Sequence, residues 1–150
     1  MTVKSLIKLG GKSIIKNKNG VLVKIGDNYQ EKIQITADHV KKFADFSGDY
    51  NPVHFDDDKA IASGFKGRIA HGMVSASLFS KIFATSFPGP GAIYLGQTFK
   101  FHAPIYINEI ITFQLEVVAQ KEGKPIYTVK TEAFGEDKSL RISGEAVIRA

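Results

Sequence analysis

The chain contains no cysteine in 150 residues, which excludes a disulfide framework, a cysteine nucleophile and a thiolate metal site. That fits a reducing cytosol, so a cytoplasmic location is expected. No apolar run approaches the ~18–20 residues that a membrane span needs, and no secretory signal is apparent, so no membrane partner is expected. A Gly-x-Ser-x-Gly elbow and a His-Glu-x-x-His pair are missing, and no two of the four histidines have close ligand spacing, so neither a serine nucleophile nor a metal is expected. Gly64-Phe65-Lys66-Gly67 is too short a pattern to be a phosphate loop. Acids are absent from residues 1–26, which carry six lysines (Lys4, Lys8, Lys12, Lys16, Lys18, Lys24) and leave 14 of the 20 basic residues to face all 15 acids. The excess positive charge therefore belongs to one end. That end has no aromatic residue to stack on bases, and no nucleic-acid partner is expected. A mitochondrial presequence, which also avoids acids, is disfavoured by the lack of arginine there.

What is present is enough for one domain. A length of 150 residues with 43% hydrophobic and 23% charged content is globular, and too short for two ordinary domains. Residues 1–24 read as a Lys-rich extension forming a short β element, with segments at 13–16 and 21–25 around a turn ending in Asn19-Gly20. Residues 25–150 read as the single domain. Thr36 is a suitable N-cap for a helix through about Ser47, with Val40, Phe43 and Ala44 on one face. Asp56-Asp57-Asp58 favours a short helix through Ala62, because acids complement a helix N-terminus. From Gly72 to about Phe87 only Lys81 is charged and small or apolar residues point in nearly every direction, which predicts a helix inside the fold. Four β segments follow, at about 92–102, 109–120, 125–134 and 139–149, with turns at Glu122-Gly123 and Gly135-Glu136-Asp137. A buried helix followed by a β meander predicts an α+β fold, one antiparallel sheet wrapped on that helix.

The chemistry concentrates in Phe46-Ser47-Gly48-Asp49-Tyr50-Asn51-Pro52-Val53-His54. A carboxylate and an imidazole, separated by four residues of turn-forming sequence, are the groups that proton transfer most often uses. Gly48, Asn51 and Pro52 favour a bend that brings both side chains to one cavity. Taken alone, an Asp after a glycine is a turn residue; Asn51-Pro52 between the pair and His71-Gly72 downstream favour the chemical reading. Gly72 opens the long helix, where backbone N–H groups are unpaired and the dipole favours negative charge, so its N–H can receive an oxyanion. His71 is a helix cap, a packed core group or a supporting residue. Ser80, about two helical turns after Gly72, either faces the same cavity or bonds its own helix backbone.

These residues resemble the signature of the MaoC-like family, the (R)-specific 2-enoyl-CoA hydratases and related dehydratases. The likeness takes in Asp49, Asn51-Pro52, His54, Ala60, His71-Gly72-Met73 and Ile93-Tyr94-Leu95-Gly96-Gln97, and runs over roughly residues 25–149. It implies a hotdog fold and reversible hydration of trans-2-enoyl-CoA to (R)-3-hydroxyacyl-CoA. Asp49 and His54 are then catalytic, Gly72 supplies the oxyanion N–H, and Ser80, Asn51 and His71 bind substrate or support the pair. It also implies no cofactor, an acyl-CoA substrate and a homodimer. Three other readings stay open at this stage: a thioesterase of the same fold, a dehydratase acting on carrier-protein thioesters, and a non-catalytic acyl-CoA-binding or scaffold module.

Overall fold

The computed structural model describes residues 6–9, 12–17, 20–21 and 23–150. Strands β1 (Leu6–Leu9), β2 (Lys12–Asn17) and β3 (Gly20–Val21) pair antiparallel in the order β1-β2-β3. The expected segment at 13–16 is thus there. Of the segment expected at 21–25, Val21 is strand and residues 23–25 are not, while Asn19 and Leu22 lie outside the described residues. Val23 already belongs to the main core, and Ile25-Gly26 form a turn.

The main sheet is antiparallel with the order β4-β7-β8-β9-β5, where β4 is Asn28–Gln34, β5 Ile93–Gln97, β7 Ile110–Gln120, β8 Ile126–Phe134 and β9 Leu140–Arg149. A short β6 (Lys100–Phe101) also pairs with β9. The stretch expected as one strand over 92–102 is therefore split. Thr98 N–H bonds Glu145 O while its hydroxyl accepts from Glu145 N–H, which breaks the ladder between β5 and β6. Strand β4 went unpredicted because Asn-Tyr-Gln-Glu-Lys-Ile-Gln is mostly polar. As an edge strand it half-buries only Tyr29, Glu31 and Ile33, a period-2 pattern that is present but weak. In β7 the alternation is fully realised: Ile111, Phe113, Leu115 and Val117 are all buried.

Three α-helices lie between β4 and β5: α1 (Ala37–Ser47), α2 (Asp57–Ala62) and α3 (Gly72–Thr85). Helix α1 buries Val40 and Ala44, with Phe43 packed against the core. Helix α3 stops two residues short of Phe87, a residue that the following Pro88 biases away from helical angles. It lies on the concave face of the sheet: Phe79 meets Phe113 edge to face at 5.1 Å, and Phe83 meets Tyr94 likewise at 5.1 Å. A sheet curled around one helix is the hotdog arrangement. The helix is not enclosed on all sides, however. Val74, Ser75, Ala76, Phe79, Ile82 and Phe83 are buried, whereas Met73, Ser77, Ser80 and Ala84 form an exposed stripe. A single curved sheet covers only one side of a cylinder.

Candidate active site

Helix α1 ends at Gly48, whose φ of 80° is left-handed and whose N–H bonds Ala44 O at 2.8 Å. This conformation suits glycine, and it throws the chain out of the helix at Asp49. The next residues knit themselves into a compact turn. Asp49 Oδ1 accepts from Asn51 N–H at 3.2 Å, Asn51 Oδ1 accepts from Val53 N–H at 3.3 Å, and Pro52–His54 form one 3-10 turn. Asn51 therefore shapes the loop through its carbonyl oxygen.

The turn places His54 inward and Asp49 at its rim. His54 is buried, and its Nδ1–H donates to Ile69 O at 2.8 Å. A carbonyl can only accept, so Nδ1 carries the proton and Nε2 is the free lone pair of neutral His54. Burial holds the imidazole below its ordinary value of 6.5, and neighbouring His71 adds to this; the Ile69 carbonyl and the Asp49 carboxylate pull the other way. His54 thus favours its neutral, proton-accepting form near pH 7. The Asp49 side chain is half exposed, at 51%.

His71 also comes to this place. A carboxylate oxygen of Asp49 and one ring nitrogen each of His54 and His71 lie within 4.8 Å of one another. Spacing along the chain gave no hint of such a group, so the argument from spacing against a metal does not hold in three dimensions. The hydrogen bonding bears on the same question: His71 Nε2 donates to Asp49 O at 2.9 Å. That leaves the Asp49 carboxylate and His54 Nε2 as the outward-facing lone pairs, fewer than the three or four protein donors of an ordinary zinc site.

Gly72 follows directly, as the first residue of α3. Its N–H has no hydrogen-bond partner among the described residues, and the dipole of a 14-residue helix points its positive end there. A Cβ here would lie 2.7 Å from Phe101 Cε1, so any other residue would push the half-exposed Phe101 ring aside. A pocket of about 440 Å³ opens at this point, lined by Phe65, Ile69, Gly72, Met73, Phe101 and Pro104 among others. No local pattern announces Phe101, because it meets Gly72 from 29 positions further along the chain. Ser80 is placed differently from the rest. It sits on the exposed stripe of α3, about 12 Å along the axis from Gly72, and makes no hydrogen bond to Asp49 or His54.

The arrangement sets a carboxylate oxygen and an imidazole nitrogen within 4.8 Å of each other, and the N–H that opens α3 has no partner among the described residues. Comparison with known proteins identifies the family. The chain is 38% identical over 127 residues to the (R)-specific enoyl-CoA hydratase of Aeromonas caviae, covering 85% of this chain and 95% of that protein. The solved structure of the A. caviae (R)-hydratase superposes with a TM-score of 0.81, covering 85% of this chain and 96% of that one. The mitochondrial 3-hydroxyacyl-[acyl-carrier-protein] dehydratase of Arabidopsis thaliana is also 38% identical, over 83% of this chain and 76% of its own length. The family model described as "MaoC like domain" matches residues 22–136. The chain belongs to the MaoC-like family.

Proposed function

We propose that this chain is a hydro-lyase that reversibly adds water to a trans-2-enoyl-CoA, giving the (R)-3-hydroxyacyl-CoA. The observation that carries the reading is the grouping of Asp49 and His54 within 4.8 Å, next to the unpartnered Gly72 N–H. Asp49 and His54 Nε2 hold one water between them, and the pair takes its proton as the oxygen attacks C3. The same pair returns a proton to C2. Negative charge that builds on the thioester oxygen is received by the Gly72 N–H and the N-terminal end of α3. No cofactor enters this scheme. Asn51 shapes the turn and presents its amide to the substrate side.

Helix α3, which carries the exposed stripe Met73, Ser77, Ser80 and Ala84, packs through Phe83 on Tyr94 of β5, an edge strand among the described residues on which Ile93 is 43% and Leu95 51% exposed. Pairing of two chains across these surfaces makes a homodimer and brings Ser80 into a shared substrate tunnel. Residues 25–150, with Val23 packed into their core, form the working domain, in the cytoplasm, and the Lys-rich stretch before Val23 is an accessory to it. The deciding assay follows the enoyl-thioester absorbance with crotonyl-CoA and longer enoyl-CoAs. Loss of that band without release of free CoA is expected. Release of CoA instead replaces this reading with a thioesterase.

A further inference from the structure

His71 holds the N-cap position of α3, where a Ser, Thr, Asp or Asn side chain ordinarily accepts from the second or third helical N–H. Its imidazole makes no such bond. The ring turns away from the helix, with 3% of the residue exposed, and Nε2–H reaches the carbonyl oxygen of Asp49 at 2.9 Å. The ring also stacks on His54, with centroids 3.7 Å apart and planes inclined by 33°. Phe43 at 4.9 Å and Phe55 at 6.3 Å wall other sides. Meanwhile Nδ1 is buried with no hydrogen-bond partner among the described residues.

An unpartnered buried polar atom is destabilising. A phenylalanine or leucine of similar size would fill the space between Phe43 and Phe55 without that cost. What the imidazole alone provides is one N–H directed at the Asp49 backbone while a flat ring rests against His54. A capping side chain would moreover set an acceptor, or for Asp a negative charge, at the helix start beside Gly72.

We infer that His71 is a positioning residue: it ties the Asp49–His54 turn to the start of α3, setting the acid–base pair in register with the Gly72 N–H. The inference rests on Asp49 and His54 being the acid–base pair. It explains how Asp49 and the start of α3, 22 positions apart at His71, hold a three-point geometry when the Asp49 side chain itself is half exposed.

The test compares His71→Phe, which keeps the ring and loses the donor, with His71→Gln, whose amide N–H can reach the same carbonyl. Displacement of reacting groups by about 1 Å costs roughly 10²-fold, so His71→Phe should lower kcat by about 10- to 100-fold with KM little changed. His71→Gln should recover most of that loss. A kcat for His71→Phe within about threefold of wild type, or no recovery in His71→Gln, overturns the inference. Should either variant fold poorly, long-range ¹H–¹⁵N spectra of the wild-type protein decide independently of turnover. They should show His71 protonated on Nε2, whereas an Nδ1–H tautomer overturns the tether. An Nε2–H tautomer in a wild type that leaves enoyl thioesters untouched supports the tether and removes the hydratase reading instead.

Discussion

Helices α1 and α3 begin in opposite ways. At α1, Thr36 Oγ1 accepts from His39 N–H at 3.3 Å while His39 Nδ1 accepts from Thr36 N–H at 3.2 Å, a reciprocal box that satisfies two donors. At α3 the capping position is also occupied, by His71, yet its side chain makes no bond to the helix; the first helical N–H has no partner at either start among the described residues, Ala37 as well as Gly72. A histidine serves both starts and does different work at each. In α1 it closes the helix end; in α3 it turns to the loop holding Asp49. Closure stabilises a helix, whereas an open start beside an acid–base pair keeps its dipole available for developing charge. The stability of α1 and the chemistry at α3 should therefore be separable by mutation.

The largest break is expected at the open start. Asp49→Asn keeps the shape and removes the base, and should lower the hydration rate by ~10²–10⁴-fold, as should His54→Ala. The double variant should lose far less than the product of the two, because groups acting on one water are non-additive. An Asp49→Asn protein within a few-fold of wild type in the crotonyl-CoA assay would sink the mechanism.

Gly72→Ala retains the N–H but brings a Cβ to 2.7 Å from Phe101; the ring must move, and a shift of this kind should cost about 10- to 100-fold in kcat. Unchanged turnover would show that Phe101 plays no part in setting the open start. A smaller effect is expected from pH. Since burial holds His54 below 6.5, kcat/KM should be flat around pH 7 and fall about tenfold per unit on the acid side, with an apparent pKa under 6.5. The sign for stability is the same. The unfolded chain protonates His54 first as pH falls, so folding weakens below 6.5. An acid limb above 6.5 would contradict the burial of His54.

The smallest effect should come from the closed start. Thr36→Ala removes one half of the box and should cost ~1 kcal/mol in denaturant unfolding, leaving kcat and KM as they were. A rate loss there would mean that α1 and the site are coupled, and the contrast between the two starts would fail.

Much of this organisation was legible in the residues. The period-2 run of β7, the Thr36 cap, the acids at the start of α2 and the small-residue character of α3 each act within a few positions, so local pattern and structure agree. The bend at Gly48–Pro52 and the glycine that opens α3 were legible for a related reason, since turn chemistry and a helix start are local features; the chemical reading of Asp49 and His54 came from their likeness to the family motif. Strand β4 was not, because an edge strand half-buries its residues and needs little hydrophobicity. The split of β5 from β6 was also invisible, since it depends on Thr98 bonding Glu145 forty-seven positions away.

The sequence by itself determined the α+β class, the order of the main elements from α1 onwards, the bend carrying Asp49 and His54, and the glycine at the start of α3. Each follows from backbone preference or hydrophobic period over a short window. Only the tertiary structure decided that His71 joins the pair, that Phe101 rests against Gly72, and that Ser80 lies on an uncovered stripe away from it. Those relations are set by how α3 seats in the curve of the sheet, and packing between distant segments leaves no periodic trace along the chain.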